Sequence, residues 1–259
     1  FFIFDADNVV GPNFINEMLE TYKNGYDIAT GYRNIKNNEN VITSCSGLTF
    51  TLINTLINKT KMAHNKAIII SGTGFYIASD LINKWHGYPF HSLTEDYELS
   101  LYASANNITT YYNDQAEFFD EQPNTMEQSL KQRTRWVKGF LESRNNYIKN
   151  IKDDYEKILG ITPYIFILLG FLMFFIISFV LLIIALNNSD PIYTKYLFYF
   201  LVCPFILYLI LFVISYTVIM IDIERLNISG KNIIGSLFYN PIFLFTYIIC
   251  LFRALKHEN

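Results

Sequence analysis

The sequence predicts a mixed α/β domain followed by helices that span a membrane. Charge is distributed unevenly along the chain, which has 20 Lys+Arg and 23 Asp+Glu, because the stretch from Ile158 to Ile221 contains only Asp190 and Lys195. Outside that stretch, short apolar runs alternate with segments of helical spacing, as is typical of α/β or α+β domains. Together these observations exclude a purely cytosolic protein, a disordered chain and a fibrous repeat.

The elements of the polar part follow from the spacing of its apolar residues. The run Phe1–Phe4 predicts a strand that is buried on both faces. Further strands are predicted over Ala67–Ile70, Phe75–Ala78 and Thr109–Tyr112, and helices over Asn13–Tyr22, Glu95–Ala105 and Met126–Tyr147. The glycines of Ser71-Gly72-Thr73-Gly74 indicate a tight turn or a close approach of the backbone to a ligand.

Three stretches without charge dominate the second half: Ile158–Leu186, Tyr196–Ile221 and Asn232–Phe252. A helix needs about 20 apolar residues to cross a bilayer. The first two stretches therefore predict spanning helices over 161–186 and 196–221, joined by a short polar turn. The third, over 233–252, contains Asn240-Pro241, so it either spans or forms a re-entrant or interfacial helix.

The distribution of basic residues predicts the orientation. Between Lys131 and Lys152 a single acid, Glu142, stands among the basic residues Lys131, Arg133, Arg135, Lys138, Arg144, Lys149 and Lys152. Because basic segments next to membrane helices stay in the cytoplasm, we expect a protein integral to the plasma membrane with its polar part facing the cytoplasm. The predicted units are residues 1–125, a basic interface helix at 126–157, and a membrane region at 158–259. A net charge of −3 gives no reason to expect nucleic acid as a partner.

The first candidate site is Asp5-Ala6-Asp7, directly after the first apolar run. Residues two apart on an extended strand point to the same side, and open α/β sheets bind ligands at the carboxyl ends of their strands. Two carboxylates with open positions beside them suit Mg²⁺ or Mn²⁺ shared with substrate phosphates. A pair of turn carboxylates without a ligand is an equally good interpretation of these residues alone.

A second candidate is Thr94-Glu95-Asp96. In the structural interpretation, Thr94 caps a helix whose dipole favours acids in the first turn. In the functional interpretation, one carboxylate acts as a general base. Crowding by Glu95 and Glu98, or burial, would raise its pKa from about 3.9 toward a useful value.

The third candidate is Gln132-Arg133-Thr134-Arg135-Trp136, within the basic helix. Arginine can bind phosphate oxygens with two donors, and a tryptophan face can support a sugar ring. The alternative is a helix whose Arg and Trp anchor it at lipid headgroups. The four histidines lack ligand spacing, and the three cysteines are too few and too scattered for a disulfide framework or a zinc site.

The order of these three sequences, followed by membrane helices, resembles the membrane-embedded family 2 glycosyltransferases. That family includes the synthases of cellulose, hyaluronan and poly-N-acetylglucosamine, and ceramide glucosyltransferase. Its signatures are Asp-x-Asp, Thr/Ser-Glu-Asp and Gln-x-x-Arg-Trp, and the runs Ser71–Phe75 and Phe119–Pro123 are similar to those of bacterial members. The resemblance extends from Phe1 to Phe252. It implies a partial GT-A-like, Rossmann-like catalytic domain in 1–125 and a role in polysaccharide biosynthesis.

The activity that the resemblance implies is that of an inverting hexosyltransferase. It would move a sugar from a nucleotide-diphosphate donor to a polysaccharide or glycolipid acceptor, with Mg²⁺ or Mn²⁺ as cofactor. We expect the donor to be a UDP-sugar. Asp7 and Asp5 would hold the metal on the diphosphate, Arg135 would bind that diphosphate, and Asp96 would be the catalytic base beside Glu95. The residues implied for the acceptor are Trp136, Gln132, Gly72 and Thr73.

The sequence also departs from the family. Members have a segment before Asp-x-Asp that holds the nucleotide base and ribose, and this segment is not part of the sequence. We therefore expect a fragment that is inactive on its own. The alternative function is a non-catalytic membrane scaffold or transporter-associated protein with a degenerate glycosyltransferase-like domain, against which the acids at positions 7 and 96 argue.

Overall fold

The computed structural model describes residues 1–151, 163–187 and 192–256. Its strands are β1 (Phe2–Ile3), β2 (Val9–Val10), β3 (Ile28–Ile35), β4 (Phe75–Ile77) and β5 (Thr110–Asp120). Its first six α-helices are α1 (Phe14–Lys23), α2 (Val41–Leu52), α3 (Lys59–Ala63), α4 (Ser79–Trp85), α5 (Glu95–Asn106) and α6 (Met126–Tyr147), with a π-helical segment (Ile53–Asn58) between α2 and α3. The apolar helices that follow are α7 (Pro163–Asn187), α8 (Tyr193–Asp222), α9 (Gly230–Phe245) and α10 (Tyr247–Lys256).

The strands form one mixed sheet in the order β1-β4-β3-β5-β2. Strands β3 and β5 are parallel, and the other neighbours are antiparallel. Between Gly31 and Tyr32 the register shifts, so that Gly31 faces Asn113 while Tyr32 faces Glu117. A side chain at Gly31 would collide with the carbonyl of Ala116, so only glycine fits beside this bulge. Beyond it, the parallel pair ends with Ile35 opposite Asp120.

Apolar residues on both faces of the sheet form the core of the α/β domain. On one face, Phe14 and Met18 of α1 pack against Ala29 and Phe118. On the other, Leu99 of α5 belongs to a larger cluster with strand residues of β3, β4 and β5. The predicted α/β fold class is therefore confirmed, with helices covering a mixed sheet.

Two of the strand predictions are wrong. The first strand lies at the sheet edge, where Phe1 and Phe2 are 65% and 37% exposed rather than buried on both faces. The segment Ile68–Ile70 is buried but joins no ladder. Side chains satisfy its backbone instead, because Asn58 accepts from the Ile69 N–H at 2.8 Å and donates to the Ile69 carbonyl at 3.0 Å.

A long helical segment that the sequence patterns did not predict runs from Val41 to Ala63 through α2, the π-helical segment and α3. It starts with a capping box, in which the Asn40 side chain accepts from the Thr43 N–H and the Thr43 hydroxyl is paired with the Asn40 backbone. By length and composition this segment could cross a membrane, as could Thr194–Asp222 and Gly230–Lys256.

The predicted membrane helices correspond to α7, α8, and the pair α9 and α10. Residues 152–162 and 188–191, which include the predicted start of the first spanning helix and the hairpin turn, lie outside the described residues. Helix α9 continues through Pro241, and the break comes later, at Thr246. The Asn240 amide donates to Ser215 Oγ of α8 at 2.8 Å, so a neighbouring helix pairs this polar side chain.

The loop between α8 and α9 contacts strand β3. The Asn34 amide donates to the Arg225 carbonyl at 2.7 Å, and the Asn227 amide donates to the Ile35 carbonyl at 2.8 Å. One end of the apolar helices is therefore attached to the central strand of the sheet.

Candidate active site

A cavity of about 330 Å³ lies where the sheet, the segment Val41–Ala63, α5 and α6 meet. The predicted site residues that line it are Asp5, Asp7, Gly72, Glu95, Asp96, Gln132, Arg135 and Trp136. The fold thus brings three sequences that are far apart in the chain to one hollow.

The first two carboxylates are held by a turn rather than by a strand. The Asn8 N–H donates to the Asp5 carbonyl at 3.1 Å, which closes the chain around Asp7. The Asp5 N–H in turn donates to the Thr73 hydroxyl at 2.9 Å. Thr73 was expected at the acceptor, but its side chain is completely buried and does not line the cavity. It lies underneath the turn, bonded to Asp5 and Asn8.

A third carboxylate, Asp120, lies beside the other two and was not predicted. One oxygen from each of Asp5, Asp7 and Asp120 lies within 4.8 Å of the others. Asp120 stands at the end of β5, 4% exposed, and pairs with the guanidinium of Arg33. The sequence run Phe119–Pro123 marked this region as family-like without indicating a role for its first acid.

Both carboxylate oxygens of Asp120 accept hydrogen bonds from neighbouring side chains, so Asp5 and Asp7 are the more accessible ligands for a metal ion. Its Oδ1 accepts from the Asn8 amide at 3.0 Å, and its Oδ2 accepts from the Gln122 amide at 2.7 Å in addition to Arg33. Desolvation, then the charge of Asp120, raises the pKa of Asp5, while Arg33 opposes the rise. A hard divalent cation would relieve this repulsion, so the acidic cluster fits Mg²⁺ or Mn²⁺.

Arg33 is the second residue that the sequence patterns missed. Its side chain, 7% exposed on β3, lies 3.7 Å from the centre of the Phe50 ring and donates to the Ser71 carbonyl. Gly72, with φ +86°, lies next to it: a Cβ there would be 3.8 Å from both Arg33 Nη1 and Asp96 Oδ2. The glycine therefore permits a backbone conformation that other residues rarely adopt, between a cation and the predicted base.

Asp96 lies half-buried in the first turn of α5. Burial raises its pKa to about 6, and the neighbouring charge of Glu95 adds to the rise while Arg33 opposes it. Thr94 occupies the N-cap position, but its side chain makes no capping bond, and within the described part of the chain its buried hydroxyl has no hydrogen-bond partner. A carboxylate with this pKa can accept a proton near neutral pH.

Glu98 does not crowd Asp96 as expected. Its Oε2 accepts from the backbone N–H groups of His91 and Ser92 at 3.3 and 3.0 Å, and its Oε1 accepts from the Tyr147 hydroxyl at 3.2 Å. Glu98 therefore stabilises the loop before α5 and ties it to α6.

Helix α6 presents the third sequence to the cavity. Gln132, Arg135 and Trp136 share one face because they are three and four residues apart. The Trp136 ring meets Phe50 edge to face at 5.8 Å between centroids. Arg133 points away from this face and is 1% exposed among other helices.

The cavity thus combines acids that could hold a metal, a carboxylate that could accept a proton, and an arginine beside a tryptophan. These are the groups that transfer from a phosphorylated donor requires. Residues 1–220 match the family model for glycosyl transferase family group 2. The chain belongs to this family, which transfers sugars from a nucleotide-sugar donor to an acceptor. The search of curated proteins finds no match to the chain.

Proposed function

We propose that this protein is an inverting hexosyltransferase of the cellulose, hyaluronan and poly-N-acetylglucosamine synthase type. It would move a sugar from a UDP-sugar to a polysaccharide or glycolipid acceptor at the cytoplasmic face of a bacterial plasma membrane. The observation that carries this proposal is the shared cavity, which is lined by Asp5, Asp7, Asp96, Arg135 and Trp136.

At the donor end, Asp5 and Asp7 would hold the Mg²⁺ or Mn²⁺ ion, with Asp120 as a third carboxylate. When bound, the metal supplies positive charge to the diphosphate as it leaves. Arg135 would bind the same diphosphate with its planar donors. Arg33 would hold Asp120 through their ion pair and limit the repulsion among the acids, which supports a preformed metal site.

At the reacting end, Asp96 would accept the proton of the acceptor hydroxyl. The acceptor oxygen then forms a bond to the anomeric carbon, and the bond from that carbon to the diphosphate oxygen breaks with its electron pair. A single displacement of this kind inverts the anomeric centre. Glu95 would assist by raising the pKa of Asp96 rather than by taking the proton itself.

At the acceptor end, Trp136 and Gln132 would contact the acceptor saccharide or lipid. Gly72 would allow the acceptor to approach Asp96 closely, because it adds no side chain between the base and Arg33. For Thr73 we propose a positioning role under the metal-binding turn, which its bond to the Asp5 N–H supports.

We also propose the domain division 1–125, 126–157 and 158–259, with the catalytic part on the cytoplasmic side. Support comes from the basic residues of α6 and from the contact between the loop after α8 and strand β3. The helices would then hold the catalytic cavity at the membrane surface, where membrane-bound acceptors are available.

The test uses the full-length protein in membranes with radiolabelled UDP-glucose and UDP-N-acetylglucosamine. Replacing the proposed base in Asp96→Asn should lower transfer by about 100-fold to 10,000-fold while UDP binding persists. Asp80→Asn, an exposed acid on α4, is the control and should match the wild type. Unchanged transfer in Asp96→Asn would contradict the base assignment. Absence of transfer by the wild type would favour the non-catalytic scaffold.

Removing the divalent metal should weaken donor binding. Titration of UDP with and without EDTA measures this directly, and Asp7→Asn should reproduce the loss in the presence of Mg²⁺ because Asp7 is an open ligand. Equal UDP affinity with and without EDTA would contradict the metal role.

A further inference from the structure

Next to the break between α9 and α10, a residue of the apolar helices lines the active-site cavity. Helix α9 ends at Phe245, Thr246 separates the two helices, and Tyr247 begins α10. Tyr247 lines the same cavity as Asp96 and Trp136. The cavity wall is therefore completed by a segment that sequence analysis assigned to the membrane region alone.

Arg133 fixes this break from the opposite face of α6. Its Nη1 donates to the Phe243 carbonyl at 3.0 Å and to the Thr246 hydroxyl at 2.9 Å. Its guanidinium also covers the rings of Phe243 and Tyr247, at 3.9 and 4.9 Å from their centroids. One side chain thus binds the end of α9, the residue between the helices and the start of α10.

Burying the charge of Arg133 costs free energy, which suggests that its geometry has a specific role. The side chain is 1% exposed, and the ion pairs found among the described residues do not include it. A buried charge without an opposite charge costs several kcal/mol in typical proteins, and an apolar side chain of similar size is often as stable. A planar cation with donors in its plane and aromatic rings on its faces is a combination that lysine does not provide.

The position of Arg133 affects the distance between two walls of the cavity. Gln132, Arg135 and Trp136 lie on the cavity face of the same helix turn. Movement of Arg133 relative to α10 would change the distance between Trp136 on one cavity wall and Tyr247 on another. Val137 and Phe140 fill the cavity lining between these walls with apolar surface.

We propose that Tyr247 contacts the acceptor and that Arg133 is a positioning residue that holds Tyr247 in the cavity wall. This inference rests on the proposed glycosyl transfer. The part of the acceptor that Tyr247 meets is an apolar face beside the reacting hydroxyl, which a sugar ring or a lipid glycerol region can offer. Donor binding depends on the acidic cluster and Arg135 instead, so the two functions can be separated.

The experiment measures two reactions of the full-length protein in membranes: transfer of label from UDP-glucose or UDP-N-acetylglucosamine into lipid and polymer, and release of free sugar by hydrolysis. Tyr247→Ala should lower transfer about tenfold or more, while hydrolysis falls much less. Tyr247→Phe retains the ring and should restore most of the transfer. Separate counting of lipid and polymer products distinguishes the two sources of acceptor.

Variants of Arg133 test the positioning role. Arg133→Lys keeps the charge but loses the planar contacts, and Arg133→Met keeps the volume, so both should raise the acceptor KM with little change in UDP affinity. Thr246→Val removes one bond and should have a smaller effect in the same direction. Lys131→Met, an exposed residue of α6, is the matched control. Thermal unfolding of each variant reports whether it is folded. If the Arg133 variants fail to accumulate, the transfer and hydrolysis rates of the Tyr247 variants test the proposal.

The outcomes separate this inference from the proposed function. Absence of both transfer and hydrolysis in the wild type would contradict the proposed function, and the inference with it. An active wild type with equal losses of transfer and hydrolysis in Tyr247→Ala, or with no loss, would contradict the inference alone.

Discussion

Among the three segments of the described residues that are long and apolar enough to cross a membrane, two have opposite surroundings. In Val41–Ala63, 72% of the most apolar window is buried inside the protein, whereas in Thr194–Asp222 the share is 12%. Their mean hydropathies are 1.3 and 2.8. The first segment packs against β3 and forms part of the candidate active-site cavity, while the second exposes apolar side chains along most of its length.

Polar partners, as well as apolar length, therefore decide where a helix lies. Asn54 donates to the Arg33 carbonyl at 2.9 Å, and Asn58 is paired with Ile69. These amides would be unsatisfied in lipid, where every unpaired polar group is costly. Inside the protein they anchor a helix that presents Phe50, Ile53 and Ile57 to the cavity.

The largest expected effect concerns stability. Leu48 is 1% exposed and packs with Ile35, Ile219 and Ile228. Leu48→Ala should lower the free energy of unfolding by about 2–5 kcal/mol, because it leaves a cavity in packed surroundings. Leu201→Ala, at a position 61% exposed on α8, should change it by less than about 0.5 kcal/mol in detergent. Unfolding by denaturant measures both, and equal losses would remove the distinction between the two segments.

Of the two segments compared, only α8 should affect membrane insertion when it receives a charge. Val213 is 58% exposed on that helix, and Val213→Arg should oppose insertion by about 2.5–3.5 kcal/mol. Ile57→Arg places the same charge at the cavity and should leave insertion as in the wild type. The fraction that resists alkaline extraction from membranes reports the effect, and release of the Ile57→Arg protein would show that Val41–Ala63 contacts lipid.

The pH dependence of activity should shift with the polarity of the cavity wall. Because Asp96 must be deprotonated to accept a proton and its pKa is about 6, kcat/KM should decrease as the pH falls through about 6. Ile57→Ser should admit water, lower the pKa toward its ordinary value of about 3.9, and move the acid limb to lower pH. Ile206→Ser on α8 is the control. A pH profile in which both variants shift, or neither does, would contradict desolvation by the wall.

The smallest effect compares two hydroxyls that make the same local bond. Thr51 donates to the Gly47 carbonyl at 3.1 Å in buried surroundings, and Thr217 donates to the Val213 carbonyl at 2.8 Å on an exposed helix face. Thr51→Val should cost about 1 kcal/mol of unfolding free energy, and Thr217→Val less than about 0.5 kcal/mol. Thermal unfolding of the purified variants measures both, and the reverse order would contradict the burial argument.

Local patterns predicted many elements well, because their signals lie within a few turns of chain. Helix α6 has the predicted bounds, Met126–Tyr147, and α5 differs from its prediction by one residue. The strand at Ala67–Ile70 was wrong because side chains, which sequence spacing does not register, satisfy its backbone. Val41–Ala63 was missed because its apolar residues surround the helix without a polar face.

The residues of the candidate site were predicted in part, because some of them also lie in short local sequences. Asp5, Asp7, Asp96 and Arg135 belong to short recognisable sequences, and their roles stay predictions until they are tested. The ion pair of Arg33 with Asp120 joins residues distant in sequence through the parallel pairing of β3 and β5. Neither residue belongs to a signature sequence, so only the three-dimensional register brings them together.

The π-helical segment Ile53–Asn58 gives the cavity wall an unusual evolutionary freedom. A π-helical turn holds extra chain within an otherwise α-helical path. Deletion of a single residue there would restore regular α-helical winding and leave Lys59–Ala63 close to its present orientation relative to α2. The insertion or deletion of one residue at this place would therefore alter the wall locally, around Ile53 and Ile57, without displacing the helical turns on either side.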